Sequence, residues 1–278
     1  MQRFFAALAC SLTALCLLAG VAIADVFVGT DGADSLTGTA APDQLYGEDG
    51  DDALMGEGAN DYLEGGPGND DIDAGRGDDL GLGGTGDDHL EGGDGEDVIY
   101  AGAGSDEALG EDGDDTIFGQ VGADRLFGGL GDDLIYAGAS GQSDAGSNQQ
   151  PSSNAAGADF VDAGAGRDAI VSEDGDAMLI GGLGDDMIAA RTGNVTVRAG
   201  GGDDRVSTGA GDDTIDAASG RDTVKSGSGN DTIDVADLKS PDVVNCGKGD
   251  DTVRADRFDR LKGCEHVERV KTKRQRRR

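Results

Sequence analysis

Between Gly83 and Glu91 the chain reads GGTGDDHLE, and between Gly128 and Tyr136 it reads GGLGDDLIY. The two phrases lie five nonapeptides apart in one unbroken series. From Gly29 to Tyr136 the sequence divides into twelve consecutive nonapeptides, and from Asn154 to Asp234 into nine more. In the first block the sixth place is always aspartate. In the second it is aspartate except at Ala177 and Val195. The eighth place is a large aliphatic residue apart from Gly81 and Ala108. A period of this length held over so many copies marks a stacked repeat architecture, in which each unit is stable only against its neighbours.

The shared phrase, G-G-x-G-x-D-x-U-x with U a large aliphatic, resembles the hemolysin-type (RTX) calcium-binding nonapeptide repeat, and the likeness covers almost the whole chain after residue 24. It implies an all-β fold, a parallel β-roll or right-handed β-solenoid with two nonapeptides per coil. The residue chemistry is consistent with that shape. Glycines allow the positive φ that a tight turn needs. Three extended residues then place the eighth side chain on one face and its neighbours on the other. The spacing predicts a turn of six residues and a strand of three. Coils stacked about 4.8 Å apart make a rod roughly 50 Å long.

Composition alone points elsewhere. The chain has 278 residues, 51 glycines, no Trp, 4% aromatic residues and a net charge of -34, which would ordinarily describe a disordered acidic polymer. Such a polymer would not keep the nonapeptide register. The charge excludes nucleic acid as a partner for the body of the chain and favours cations. One buried aliphatic per nine residues returns less than the ordering of nine backbones costs. Carboxylates stacked a few ångström apart also repel along each edge. A bridging cation removes the repulsion, so metal binding and folding are expected to be one event.

The ligand types select the ion. The repeats hold one histidine, His89, and no cysteine, which leaves zinc and copper without donors. Carboxylate and carbonyl oxygens at irregular spacing suit calcium better than magnesium. The resemblance implies several Ca2+ ions, each between repeat n and repeat n+2, held by sixth-place carboxylates and carbonyls of the glycine turn. The residues it assigns are Asp34, Asp52, Asp61, Asp70, Asp79, Asp88, Asp97, Asp106, Asp115, Asp124, Asp133, Asp168, Asp186, Asp204, Asp213, Asp222, Asp231 and Asp251. Asp43, after TAAP, follows the pattern least faithfully. The long insertion, Ala177 and Val195 all fall in odd-numbered repeats. If odd repeats share an edge, calcium is expected to be absent from one side of the rod near its middle, while Asp168, Asp186, Asp204 and Asp222 keep the other side loaded.

The remaining segments frame the repeats. Residues 1–24 read as a secretory signal peptide: a basic start at Arg3, an apolar stretch from Phe4 to Val21, and small residues at Ala22 and Ala24. Cys10 and Cys16 fall inside it, which leaves Cys246 and Cys264 as a disulfide pair in an exported chain. The expected divisions are a first roll block at 25–136, a Ser/Gly/Asn/Gln-rich insertion at 137–156, and a second block at 157–234. A disulfide-stapled C-terminal cap at 235–267 and a basic tail at 268–278 follow. The expected product is secreted or held at the cell surface, with no transmembrane segment after signal cleavage. It has a structural or interaction role and no attached catalytic domain. Cell-wall or extracellular polysaccharide is a possible partner, making adhesion or glycan interaction the alternative role. A solenoid polysaccharide enzyme is the remaining rival, but neither a catalytic motif nor an irregular acid/base loop interrupts the repeats.

Overall fold

The computed structural model describes residues 24–138, 158–173 and 175–270. The expected signal peptide therefore lies outside the described residues except for Ala24. So do most of the 137–156 insertion and, beyond Val270, the basic tail.

Among the described residues there are twenty-six strands and no helix, and the strands alternate between two parallel sheets of thirteen. One sheet runs β1 (Val26–Val28), β3 (Gln44–Tyr46), β5 (Tyr62–Pro67), β7 (Leu80–Thr85), β9 (Val98–Gly104), β11 (Thr116–Gly122), β13 (Leu134–Ala137), β15 (Ala169–Ser172), β17 (Met187–Ala190), β19 (Arg205–Ser207), β21 (Thr223–Lys225), β23 (Val243–Asn245) and β25 (Arg260–Lys262). The other runs β2 (Ser35–Thr37), β4 (Ala53–Met55), β6 (Asp71–Arg76), β8 (His89–Asp94), β10 (Glu107–Asp112), β12 (Arg125–Leu130), β14 (Asp159–Ala165), β16 (Ala177–Leu183), β18 (Thr196–Gly201), β20 (Thr214–Asp216), β22 (Thr232–Asp234), β24 (Thr252–Ala255) and β26 (His266–Arg269). Each coil contributes one strand to each sheet. The molecule is the all-β parallel solenoid that the period requires.

Pairing joins residues eighteen apart, as in Phe27 with Leu45 and Leu54 with Ile72. Two nonapeptides therefore make one coil. Across the insertion the register is kept with a longer step, Leu126 facing Val161 and Ile135 facing Ile170, so the added residues leave both sheets continuous. Near the C-terminus the step changes again. Val224 faces Val244, Val244 faces Leu261, and Val253 faces Val267. The expected capping segment thus forms the last coils of the same solenoid.

The core is a thin seam between the sheets. Eighth-place side chains such as Leu45, Leu63, Ile117, Leu126, Ile135 and Ile170 are fully buried, and small first-place residues such as Ala101, Ala163 and Ala199 fill the space beside them. The strands of the middle coils are longer than the expected three residues: β5 to β12 have six or seven. The glycine-rich places one to three pair with the next coil as well, Gly66 with Gly84 and Pro67 with Thr85. The turn proper is confined to places four to six. The Cys246–Cys264 disulfide, with Cα atoms 5.3 Å apart, ties the residue after β23 to the segment after β25 and so fastens the final coil to its neighbour.

Candidate metal centre

Each sixth-place aspartate sits at the corner where the turn enters the next strand, and its side chain points into the rod. Asp52, Asp70, Asp88, Asp106 and Asp124 are almost completely buried on one edge. Asp61, Asp79, Asp97, Asp115 and Asp133 are buried on the other. Within an edge the residues are linked directly. The amide of Asp52 donates to Oδ1 of Asp70 at 2.8 Å, and that of Asp70 to Oδ1 of Asp88 at 2.9 Å. The opposite edge repeats this from Asp61 to Asp79 at 2.6 Å and from Asp79 to Asp97 at 2.8 Å. The sixth places of repeats n and n+2 are therefore stacked neighbours.

The second carboxylate oxygen has no such partner. Oδ2 of Asp52, Asp61, Asp70, Asp79, Asp88, Asp97, Asp106, Asp115, Asp124, Asp133, Asp168, Asp186, Asp204, Asp213, Asp231 and Asp251 is buried without a hydrogen bond. What lies around it is more oxygen. Asp52 Oδ2 and the carbonyl oxygen of Gly65 both lie 2.5 Å from the point where a Cβ on Gly47 would stand. At the fourth place a Cβ on Gly86, whose φ is 130°, would overlap the carbonyl oxygen of Gly68 in the coil before it. A Cβ on Gly104 would meet the Gly86 carbonyl in the same way, with Oδ1 of Asp106 3.1 Å from that point. Glycine is required there because bare carbonyls occupy the side-chain position.

Burying an ionised oxygen without a donor is costly, and the electrostatics reflect it. Burial pushes the carboxyls of Asp79, Asp115, Asp124, Asp133, Asp168 and Asp204 up to about 7 from a usual 3.8. It pushes those of Asp61, Asp70, Asp88, Asp97 and Asp106 up to about 6. The amide that each accepts opposes the rise, and neighbouring carboxylates add to it. The edge lacks positive charge.

Among the described residues no three side chains of His, Cys, Asp or Glu gather as a metal cluster. The donor set here is of another kind, with carboxylate oxygens delivered one per coil and the rest supplied by backbone carbonyls. An oxygen-only set of this type fits a hard cation that tolerates irregular coordination, and calcium is the common one.

The two edges differ as the repeat numbering anticipates. One edge carries Asp133, Asp168, Asp186, Asp204 and Asp222 in an unbroken chain of amide-to-Oδ1 bonds. On the other, Asp124 donates to Asp159, and the next two sixth places are the buried Ala177 and Val195 before the chain resumes from Val195 to Asp213. The odd repeats do share an edge. At the N-terminal end Asp34 and Asp43 also depart from the pattern. Their Oδ2 atoms accept from the amides and hydroxyls of Thr30 and Thr39, which stand at the second place.

Several residues of the ladders lie outside the assigned set. Asp43 and Asp159 are stacked like their neighbours. Asp242 and Asp259 continue one edge beyond Asp222, and Glu265 ends the other beyond Asp251. The steps to Asp242 and Asp259 are twenty and seventeen residues, so a fixed period misses them. Their D-x-U signatures, DVV and DRL, identify them without counting glycines. A second ladder runs along the fifth place with opposite polarity. Oδ1 of Asp51 accepts from the Asn69 amide at 2.9 Å, and Oδ1 of Asn69 from the Asp87 amide at 2.8 Å. The frequent Asp or Asn at that place is its sequence signal.

Among the described residues no helix is long and apolar enough to cross a membrane. A comparison with curated proteins gives no match. The family model of the RTX calcium-binding nonapeptide repeat matches residues 28–63, 49–81, 82–108, 109–140, 155–179, 180–215 and 207–236, which together make up more than half of the chain. The chain belongs to this calcium-binding repeat family.

Proposed function

We propose that the protein is an exported calcium-binding rod that folds when it meets extracellular Ca2+ and then serves a structural or interaction role. The row of buried Oδ2 atoms without hydrogen-bond partners carries this reading. In the proposal the ions lie along both edges, held by the sixth-place aspartates from Asp52 to Asp133 and by Asp168, Asp186, Asp204, Asp213, Asp222, Asp231 and Asp251, together with carbonyls of the glycine turns. Bound calcium supplies the positive charge that the stacked carboxylates need. The ladder bonds then hold successive coils in register. Oδ2 of Asp34 already accepts from both the amide and the hydroxyl of Thr30, which makes it the weakest ligand of the assigned set.

Calcium anomalous scattering from crystals grown in Ca2+ tests the placement. The expected result is an uninterrupted row of ions beside Asp168, Asp186, Asp204 and Asp222, with a gap on the opposite edge at Ala177 and Val195. Equal occupancy at Ala177 and Val195 would overturn the assignment of the sixth-place carboxylates as ligands.

Export is read from residues 1–24, and mass spectrometry of the protein recovered outside the cell tests it, with a mature N-terminus at Asp25 expected. The glycan-binding alternative finds less support. The rings of Tyr100, Phe118 and Tyr136 are stacked on one another with centroids 4.6 and 5.0 Å apart, so they present edges rather than faces on which a sugar could lie. For an enzymatic reading no specific observation speaks. The depression lined by Asp94, Leu109, Glu111, Asp112, Phe127, Gly128 and Gly129 has carboxylates but no hydroxyl, thiol or imidazole in its lining.

A further inference from the structure

The two outer faces of the rod differ in chemistry. Seventh- and ninth-place side chains point outward from both sheets. On the even-numbered sheet charged residues such as Asp71, Asp73, Glu91, Glu107, Arg125 and Asp162 interrupt the apolar Leu109, Phe127, Phe160, Met178 and Ile180, with His89 3.2 Å from Glu91 and Arg125 3.3 Å from Glu107. On the odd-numbered sheet, strands β7, β9, β11, β13, β15 and β17 carry Leu80 and Leu82, Val98 and Tyr100, Thr116 and Phe118, Leu134 and Tyr136, Ala169 and Val171, and Met187 and Ala189. None is charged. From β1 to β23 this face bears one acid, Glu64, in a chain that has 56 Asp and Glu residues.

We infer that this face is a self-association surface, and that two copies of the chain pack odd sheet to odd sheet with their rod axes reversed. Four observations favour a second copy over other occupants. The first is alignment: the rings of Tyr100, Phe118 and Tyr136 lie within 5° and 3° of parallel from coil to coil and form a regular row along the middle of the face. The second is period. Side chains recurring at the strand spacing interdigitate best with a surface of the same spacing, and a second copy presents one.

The third is charge. Reversing the axes about the middle of the apolar block sets β7 against β17, β5 against β19, β3 against β21, and β1 against β23. Glu64 of each copy then comes opposite Arg205 of the other, with Lys225 one strand, about 4.8 Å, further along. Its carboxylate is already held on the face by the Tyr62 hydroxyl, which donates to it at 2.6 Å. The exposed Val26 and Val28 meet the exposed Val243. The even sheet faces away and the acidic turns border the strip without entering it, so the face in contact carries little of the net charge of -34. The fourth is area. Twelve strands about 4.8 Å apart and three residues wide make a strip of roughly 500 Å² per copy, at the low end for a specific interface and suited to a reversible dimer.

Sedimentation equilibrium of the full chain in excess calcium tests the inference, with strand content recorded on the same samples so that a failure to fold is distinguished from a failure to associate. The expected result is a concentration-dependent rise from monomer to dimer mass. Phe118→Lys, an outward position, should weaken association at least tenfold while leaving strand content and bound calcium unchanged. Glu64→Arg should weaken it, and combining it with Arg205→Glu and Lys225→Glu should restore it. A folded chain that stays monomeric at all accessible concentrations overturns the inference. So does a dimer indifferent to Phe118→Lys, or a chain that stays monomeric but floats with phosphatidylcholine vesicles, which would assign the face to lipid.

Discussion

The backbone amide of Asp97 donates to Oδ1 of Asp115, one coil further on, at 2.9 Å, while Oδ2 of Asp115 is buried with no hydrogen-bond partner. One carboxylate thus has two separable tasks, fastening the preceding coil and presenting an unneutralised oxygen to the space between coils.

Two substitutions separate those tasks. Asp115→Asn keeps an oxygen for the Asp97 amide but removes the charge, so the folded chain should bind fewer calcium ions and require more calcium to fold. Asp115→Ala also leaves the Asp97 amide unpaired, which should cost about 1–3 kcal/mol beyond the asparagine variant. Calcium titration followed by circular dichroism, with ions counted by calorimetry, checks the order wild type, Asn, Ala. Identical behaviour of the two variants would remove the ladder bond from the account.

The raised carboxyls fix the pH dependence of the metal-free chain. Their folded values of about 6 to 7 lie above the usual 3.8, so the folded form takes up protons that the unfolded form does not. The stability this contributes is fully present below pH 3.8 and is lost as pH rises through about 6 to 7. In chelator, strand content should therefore increase as pH falls from 8 to 5. With calcium present, protons compete for the same oxygens, and apparent affinity should fall over the same window. A calcium affinity independent of pH between 8 and 5.5 would contradict this.

Two glycines give opposite expectations. Gly81 stands at an eighth place normally filled by an aliphatic side chain, and a Cβ there meets only Leu90 Cδ2 at 3.7 Å. Gly81→Ala should stabilise the folded chain by about 0.5–1 kcal/mol, through lower unfolded-state entropy and better strand packing. Gly86→Ala would drive a Cβ into the Gly68 carbonyl at a φ of 130° and should disrupt the coil. Thermal unfolding in saturating calcium measures both.

These contrasts show what the amino-acid sequence could and could not reveal. The nonapeptide register specified the solenoid, the two-strand coil, the inward eighth place and the shared edge of Ala177 and Val195, because each depends on a period that the side chains display directly. Asp242 and Asp259 were hidden because changes in turn length break the period while strand pairing preserves the stack. The six- and seven-residue strands were missed because glycine reads as turn, whereas backbone pairing from Gly66 to Gly84 needs no side chain. The fifth-place ladder was masked by its neighbour, since two adjacent acids look like one charged turn until their bonds are seen to run in opposite directions.

The Cys246–Cys264 link should stabilise the last coils by about 3 kcal/mol on chain-entropy grounds. Reduction, or replacement of both cysteines by alanine, should raise amide exchange first in β23 to β26 and leave the central strands protected. Hydrogen-exchange mass spectrometry resolves the two regions. Uniform deprotection along the rod would mean that the cap governs the whole fold instead.

The most direct test of the coupling between calcium and folding is to follow strand content and radius of gyration together at pH 7.5, in excess chelator, in calcium and in magnesium. The expected result is an expanded chain with little strand signal in chelator, recovery of the compact rod in calcium, and no comparable recovery in magnesium. A compact chain with full strand content in excess chelator would contradict it.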